Sequence, residues 1–183
     1  MTYLTSSISW NDSFTNIQFG KNRSVGKYFF QNITKLYSEK PVHKQRKVII
    51  IGSLLVDKRF DMDIVREVNI YNSLIENVME KYHLVAKEIW YKPHPRLDYK
   101  SWLYKQNNMN CNIYDYDDNV LGEVELCNPH LKAVYSVGST TLLNAIMLFG
   151  KEAYLIDIRN EPVHPAAYKK YYYILKKYGI KVI

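Results

Sequence analysis

From Lys47 onward the chain alternates short, continuous apolar runs with segments of helical period, and no other feature narrows the possible folds as much. KVIIIGS is such a run, closed by Gly and Ser. It reads as a strand buried on both faces, the signature of a parallel sheet. Asp61 to Tyr82 follows, with Ile64, Val65, Val68, Tyr71, Leu74, Ile75, Val78 and Met79 at i, i+3, i+4, i+7 spacing, which predicts an amphipathic helix. The pattern then repeats: LVAKEIWYK as strand, Leu97 to Gln106 as helix, NCNIYDY as strand, and a short helix from Gly122 to Cys127. KAVYSV (strand), Thr140 to Phe149 (helix), EAYLIDI (strand) and a last helix over Ala166 to Tyr178 complete it. Alternation at this spacing calls for right-handed crossovers. The expected fold is α/β: a Rossmann-like, doubly wound parallel sheet of about five strands with helices on both faces.

Residues 1–45 differ in texture, being rich in Ser, Thr and Asn with scattered aromatics (Trp10, Phe14, Phe19, Phe29, Phe30) and no sustained period. They read as an extension or linker, and residues 46–183 as the folded domain. Over 183 residues, 47% hydrophobic content suffices for one core. The net charge of +7 comes from lysines spread along the chain, with small clusters at Lys44, Arg46, Lys47 and at Lys169, Lys170, Lys176, Lys177. That spread favours a general anionic partner over nucleic acid. The 17 tyrosines, beside abundant Lys, Ile and Asn, fit a biased genome better than a stacking platform. Cys111 and Cys127 are too few and too far apart for a zinc cluster or disulfide framework and read as buried thiols. The chain has no apolar run of membrane-spanning length and no signal-peptide pattern at its start, so an intracellular place is expected.

Ligands of such sheets bind beyond the carboxyl ends of the strands. After the second strand, Lys92-Pro93-His94-Pro95-Arg96 holds a histidine between two prolines in a φ-restricted, extended segment. Lys92 and Arg96 add positive charge that suits a phosphate; a rigid-loop histidine without ligand is the plain alternative. After the fourth strand, Tyr135-Ser136-Val137-Gly138-Ser139-Thr140-Thr141 opens the apolar helix LLNAIMLFG. Unpaired N–H groups and the positive dipole end make such a start an anion cradle, with Gly138 permitting close approach. Equally, Ser139 or Thr140 could simply cap a buried helix. Between these turns lies Glu123-Val124-Glu125-Leu126-Cys127, where Glu125 is expected to face the cleft and accept from a ribose diol, a solvated glutamate being the alternative. Asp115, Asp117 and Asp118 read as solvated loop carboxylates rather than a cation site. No Walker lysine loop, GxGxxG, HExxH, EF-hand or GxSxG pattern occurs.

Lys92-Pro93-His94-Pro95, followed two strands later by Val137-Gly138-Ser139-Thr140, resembles the His-Pro and Ser-Ser/Thr motifs of the bacterial sialyltransferases, namely the lipooligosaccharide sialyltransferase and polysialyltransferase families. Glu123 to Leu126 is similar to the glutamate-bearing piece ahead of their second motif. The resemblance covers roughly residues 47 to 160. It implies a GT-B glycosyltransferase whose C-terminal Rossmann-like half holds CMP-sialic acid with neither metal nor other cofactor. On that likeness His94 binds and protonates the departing CMP phosphate, Lys92 and Pro95 belong to the same donor site, Gly138, Ser139 and Thr140 hold the phosphate, and Glu125 binds the ribose.

Those families carry their catalytic carboxylate in an acidic-acidic-glycine motif on the N-terminal half. The nearest string here, Asp117-Asp118-Asn119, lacks the glycine and follows the wrong strand. The chain is therefore expected to be a truncated donor-binding half, weakly active or inactive alone, serving surface glycans of the capsule or lipooligosaccharide type. Expected partners are a nucleotide-sugar donor, a glycan acceptor and the membrane surface, with no nucleic acid. The expected place is the cytoplasm or the periphery of the inner membrane. Two alternatives stand beside it: a transferase using another nucleotide-activated donor, such as a polyol phosphate, and a noncatalytic basic binding domain.

Overall fold

Six strands pair in parallel in a single sheet of order β3-β2-β1-β4-β5-β6. They are β1 (Val48–Ile51), β2 (Ile89–Lys92), β3 (Asn112–Ile113), β4 (Ala133–Ser136), β5 (Glu152–Leu155) and β6 (Lys181–Val182). The helices are α1 (Ile64–Tyr82), α2 (Ser101–Gln106), α3 (Gly122–Leu126), α4 (Thr141–Phe149) and α5 (Ala166–Lys177). This computed structural model describes residues 45–53, 55, 62–94, 96, 101–114, 122–161 and 166–183, with Asn32 and Lys35 near the start. By its contacts the chain divides into two units, Met1–Pro41 and Val42–Ile183, and the sheet belongs wholly to the second.

β1 is central, flanked by β2 and β4, so its consecutive side chains meet helices on opposite sides; Val48, Ile49 and Ile50 are at most 1% exposed. That is why an unalternated apolar run was needed there. Ile50, Tyr91 and Tyr135 share one face. On that face Tyr91 packs against Tyr71 of α1 at 5.0 Å and Tyr104 of α2 at 4.7 Å between ring centroids. Ile51 points to the other face, where its Cδ1 lies beside Gly122 of α3, and α3 in turn is tied to α4. Helices thus cover both faces, as in a Rossmann-like α/β fold.

α1 begins at its cap, Asp63, whose carboxylate accepts from the backbone N–H of Val65 at 2.6 Å and of Arg66 at 3.2 Å. It ends at His83, which takes the left-handed conformation (φ 52°) more often given to glycine, while Leu84 N–H closes back on Met79 C=O. The sixth strand departs from the expected five. Lys181–Val182 is only two residues long and half exposed, and it rests on backbone pairing with Tyr154 and Leu155 rather than on a buried apolar run.

Two side-chain expectations change as well. Arg46 is not part of a surface basic cluster: it is 4% exposed, with its guanidinium 4.4 Å from the Trp90 ring centroid and 4.5 Å from that of Tyr114. Cys111 and Cys127 are free and half-buried rather than fully buried. Desolvation still pushes their thiols up, to about 12 and about 11, so neither offers a thiolate near neutral pH.

Candidate functional site

Strand order reverses between β1 and β4, and ligands of open parallel sheets lodge at such a switch point, beyond the carboxyl ends. Ile51, the last residue of β1, pairs with Lys92 on one side and Ser136 on the other. The Lys92–His94 turn and the Ser136–Thr140 turn therefore leave the sheet at the same level, one on each flank of β1. Gly52 lies between them and donates its N–H to Lys92 C=O at 2.7 Å. A Cβ on Gly52 would meet the Tyr91 hydroxyl at 2.4 Å and the Lys92 carbonyl at 3.0 Å, so the close approach here requires glycine.

His94 is half-buried, and its Nδ1 accepts the backbone N–H of Arg96 at 3.2 Å. A nitrogen that accepts an N–H carries no proton itself, so in this ring the hydrogen sits on Nε2. The turn thus fixes both the tautomer and the tilt of the imidazole. Lys92 is 4% exposed, with Nζ 5.3 Å from the Tyr114 ring centroid, so its charge sits beneath the edge rather than out in the cleft. Pro95 lies outside the described residues, as do Asp115, Asp117 and Asp118.

On the other flank, Ser136 Oγ accepts from Gly138 N–H at 3.2 Å and Ser139 Oγ accepts from Thr141 N–H at 3.2 Å. Thr140, at the helix cap, makes no side-chain cap bond, and the hydroxyl of Ser139 takes only this one N–H of the first turn. This bond does not use up the helix start: among the described residues nothing accepts from the N–H of Ser139 or of Thr140, and both residues are half-buried. These donors sit where the dipole of the nine-residue α4 is positive.

Glu125 is not brought to this group. It is 3% exposed, and its Oε1 accepts from Arg46 Nη1 at 2.6 Å, which turns it into the sheet's interior beside Trp90 and Tyr114. The glutamate that reaches the start of α4 is Glu123. Its Oε1 accepts from Thr141 Oγ1 at 3.0 Å and from Asn144 Nδ2 at 3.2 Å, and its Oε2 accepts from none of the described residues. Glu123 and Glu125 are two positions apart on a helix, hence on opposite sides of it, and only one can face the edge. Gly122, close against Thr141, was the available sign that the helix start packs on α4.

A parallel sheet in 3-2-1-4-5-6 order with helices on both faces is the layout of a Rossmann-like α/β protein. The alpha-2,8-polysialyltransferase family model matches residues 19–156, well over half of the chain, and the chain belongs to that family. It is a sialyltransferase-like glycosyltransferase, a class that takes a nucleotide-sugar donor and a glycan acceptor. No curated protein and no solved structure matches the chain.

Proposed function

We propose that this edge binds CMP-sialic acid, with the nucleotide phosphate lying across the end of β1. His94 Nε2–H donates from one flank and the N–H groups of Ser139 and Thr140 from the other, while Glu123 Oε2 accepts from the ribose hydroxyls. Bond cleavage in a sialyl donor leaves its growing negative charge on the phosphate oxygens. Donors already fixed around that position stabilise it without reorganising, and a bond from a charged partner is about twice as strong as a neutral one. His94 holds the departing CMP by keeping its Nε2–H bonded to the phosphate oxygen on which the charge grows, and its ring stays neutral throughout. The positive helix end and the imidazole supply what a divalent cation supplies elsewhere, so the reading is metal-independent.

The observation that carries this reading is the shared level of the two turns on either side of β1, in a chain of a sialyltransferase family. Titration calorimetry with CMP, CDP, UDP and GDP tests it. CMP is expected to bind best; equal affinity across the four, or a preference for a diphosphate, would instead favour another nucleotide-activated donor. The 183 residues hold no acidic-acidic-glycine string. We therefore also propose that the chain supplies the donor half of the reaction and takes its general base from a facing domain.

A further inference from the structure

Glu67, in the first turns of α1, is fully buried, and among the described residues no cation pairs with it. Its surroundings are tyrosine hydroxyls. Tyr91 OH of β2 lies 3.5 Å from Oε1 and Tyr104 OH of α2 lies 3.4 Å from Oε2. Tyr71 of α1 itself adjoins the carboxyl without meeting hydrogen-bond geometry, and Ser53, just after β1, lies beside Tyr71. Desolvation dominates over these hydroxyls and pushes Glu67 up to about 8, so near neutral pH it is a neutral acid with one O–H to donate. Tyr91 and Tyr71 are pushed up as well, chiefly by burial, and stay protonated.

This cage sits directly below the candidate site. The Tyr91 hydroxyl that faces Glu67 also lies against Gly52, and Gly52 N–H holds the Lys92 carbonyl one residue before Pro93-His94. We propose that Glu67 with Tyr71, Tyr91 and Tyr104 is a positioning element for the carboxyl edge, acting through Tyr91 and Gly52 on the turn that presents His94. Its purchase on donor binding rests on the function proposed above; its purchase on the edge does not. Ionisation turns Glu67 into an acceptor only and places an unpaired charge in a dry cage, which must open to admit water. Tyr91 then leaves its seat under Gly52, and the edge loosens.

The experiment compares wild type, Glu67→Gln and Tyr91→Phe by hydrogen exchange, corrected for intrinsic rate, in segments 51–55 and 92–96 at pH 7 and pH 9. The neutral fraction of a group titrating near pH 8 falls about tenfold over that interval, from about 0.91 to about 0.09. Wild type is expected to lose protection in both segments by about that factor. Glu67→Gln should lose none, being neutral at both pH values. Tyr91→Phe keeps the buried acid but cuts its contact with the edge, so its unfolding midpoint should still fall with pH while the edge stays protected. Parallel losses in wild type and Glu67→Gln, or an edge unchanged in wild type, would overturn the proposal. CMP titrations on the same samples separate the two readings: CMP binding to none of the proteins at pH 7 would sink the donor assignment and leave the exchange result standing.

Discussion

Replacing Glu125 by Ala should cost the fold several kcal/mol, on the order of what removal of one partner of a buried ion pair costs. Among the described residues the carboxylate is the sole acceptor of the Arg46 guanidinium and none pairs with its Nε, and both side chains are 4% exposed. Deleting one member of a buried pair strands the other charge, which typically costs about 3 to 5 kcal/mol. Arg46 would keep its seat over the Trp90 and Tyr114 rings at 4.4 and 4.5 Å. Such contacts contribute about 0.5 to 2 kcal/mol but are present before and after the change, so they do not offset the loss. With a urea slope of about 2 kcal/mol/M, the midpoint should fall by about 1.5 to 2.5 M.

Glu125→Gln keeps the volume and one acceptor and should lose less. The double change Arg46→Met with Glu125→Leu removes both charges and should restore most of the stability, since apolar replacements of buried pairs are commonly neutral or better. Urea unfolding at pH 7 reads all three, and CMP affinity of folded Glu125→Gln should match wild type. A loss below about 1 kcal/mol for Glu125→Ala, together with lost CMP binding, would refute the reasoning and return Glu125 to the donor site.

His94→Ala should weaken CMP binding by about tenfold or more while shifting stability within about 0.5 kcal/mol, because a half-buried turn residue contributes to the edge and little to the core; unchanged affinity by calorimetry would remove its assigned role. Gly52→Ala should destabilise by about 1 to 3 kcal/mol, since the new methyl would sit 2.4 Å from the hydroxyl of a Tyr91 that has nowhere to move; thermal melts that overlay on wild type would contradict the close approach. On the proposed donor-half assignment, the chain alone should bind CMP yet transfer sialic acid negligibly to a lactose-terminated acceptor, because a missing general base costs about 10² to 10⁴-fold and acceptor positioning would come from the facing domain as well. Robust turnover would show that a carboxylate of this chain serves as base.

Elements written as continuous apolar runs or long helical stripes were legible in the sequence, because burial on one or two faces dictates the pattern directly. β1, β4, α1 and α4 fall where the periodicity puts them. β6 did not show, since a two-residue edge strand is held by backbone bonds that leave no mark on side-chain choice. At the site, the two turns were legible because Pro and Gly constrain the backbone wherever they stand. The choice between Glu123 and Glu125 was not, because the residue that decides it, Arg46, lies 79 positions from Glu125. Local sequence also gives an arginine beside two lysines no sign that it will be the one carried inward, where only its planar, weakly hydrated cation fits between two rings.

The tyrosines show how composition turns into architecture. Tyr71, Tyr91 and Tyr104 are fully buried, and Tyr135 and Tyr154 nearly so, stacked at 4.7 Å on the same sheet face. A buried phenol needs a partner for its hydroxyl, and two glutamates serve that face. Glu67 meets Tyr91 and Tyr104 near the carboxyl edge; Glu152, where β5 begins at the opposite edge, accepts from Tyr82 and Tyr154. The chemistry is the same, yet the acidities move in opposite directions. At Glu67 desolvation outweighs the hydroxyls and raises the carboxyl to about 8; at the exposed Glu152 the Tyr82 and Tyr154 bonds outweigh desolvation and lower it. The signs of the linked stabilities follow. Glu67 gives stability that is whole below the unfolded-state value and is lost as pH rises to about 8, while Glu152 gives stability that is present above the unfolded-state value and is lost as pH falls. Acid therefore removes a contribution made at the amino edge and base one made at the carboxyl edge, the edge that carries the candidate site.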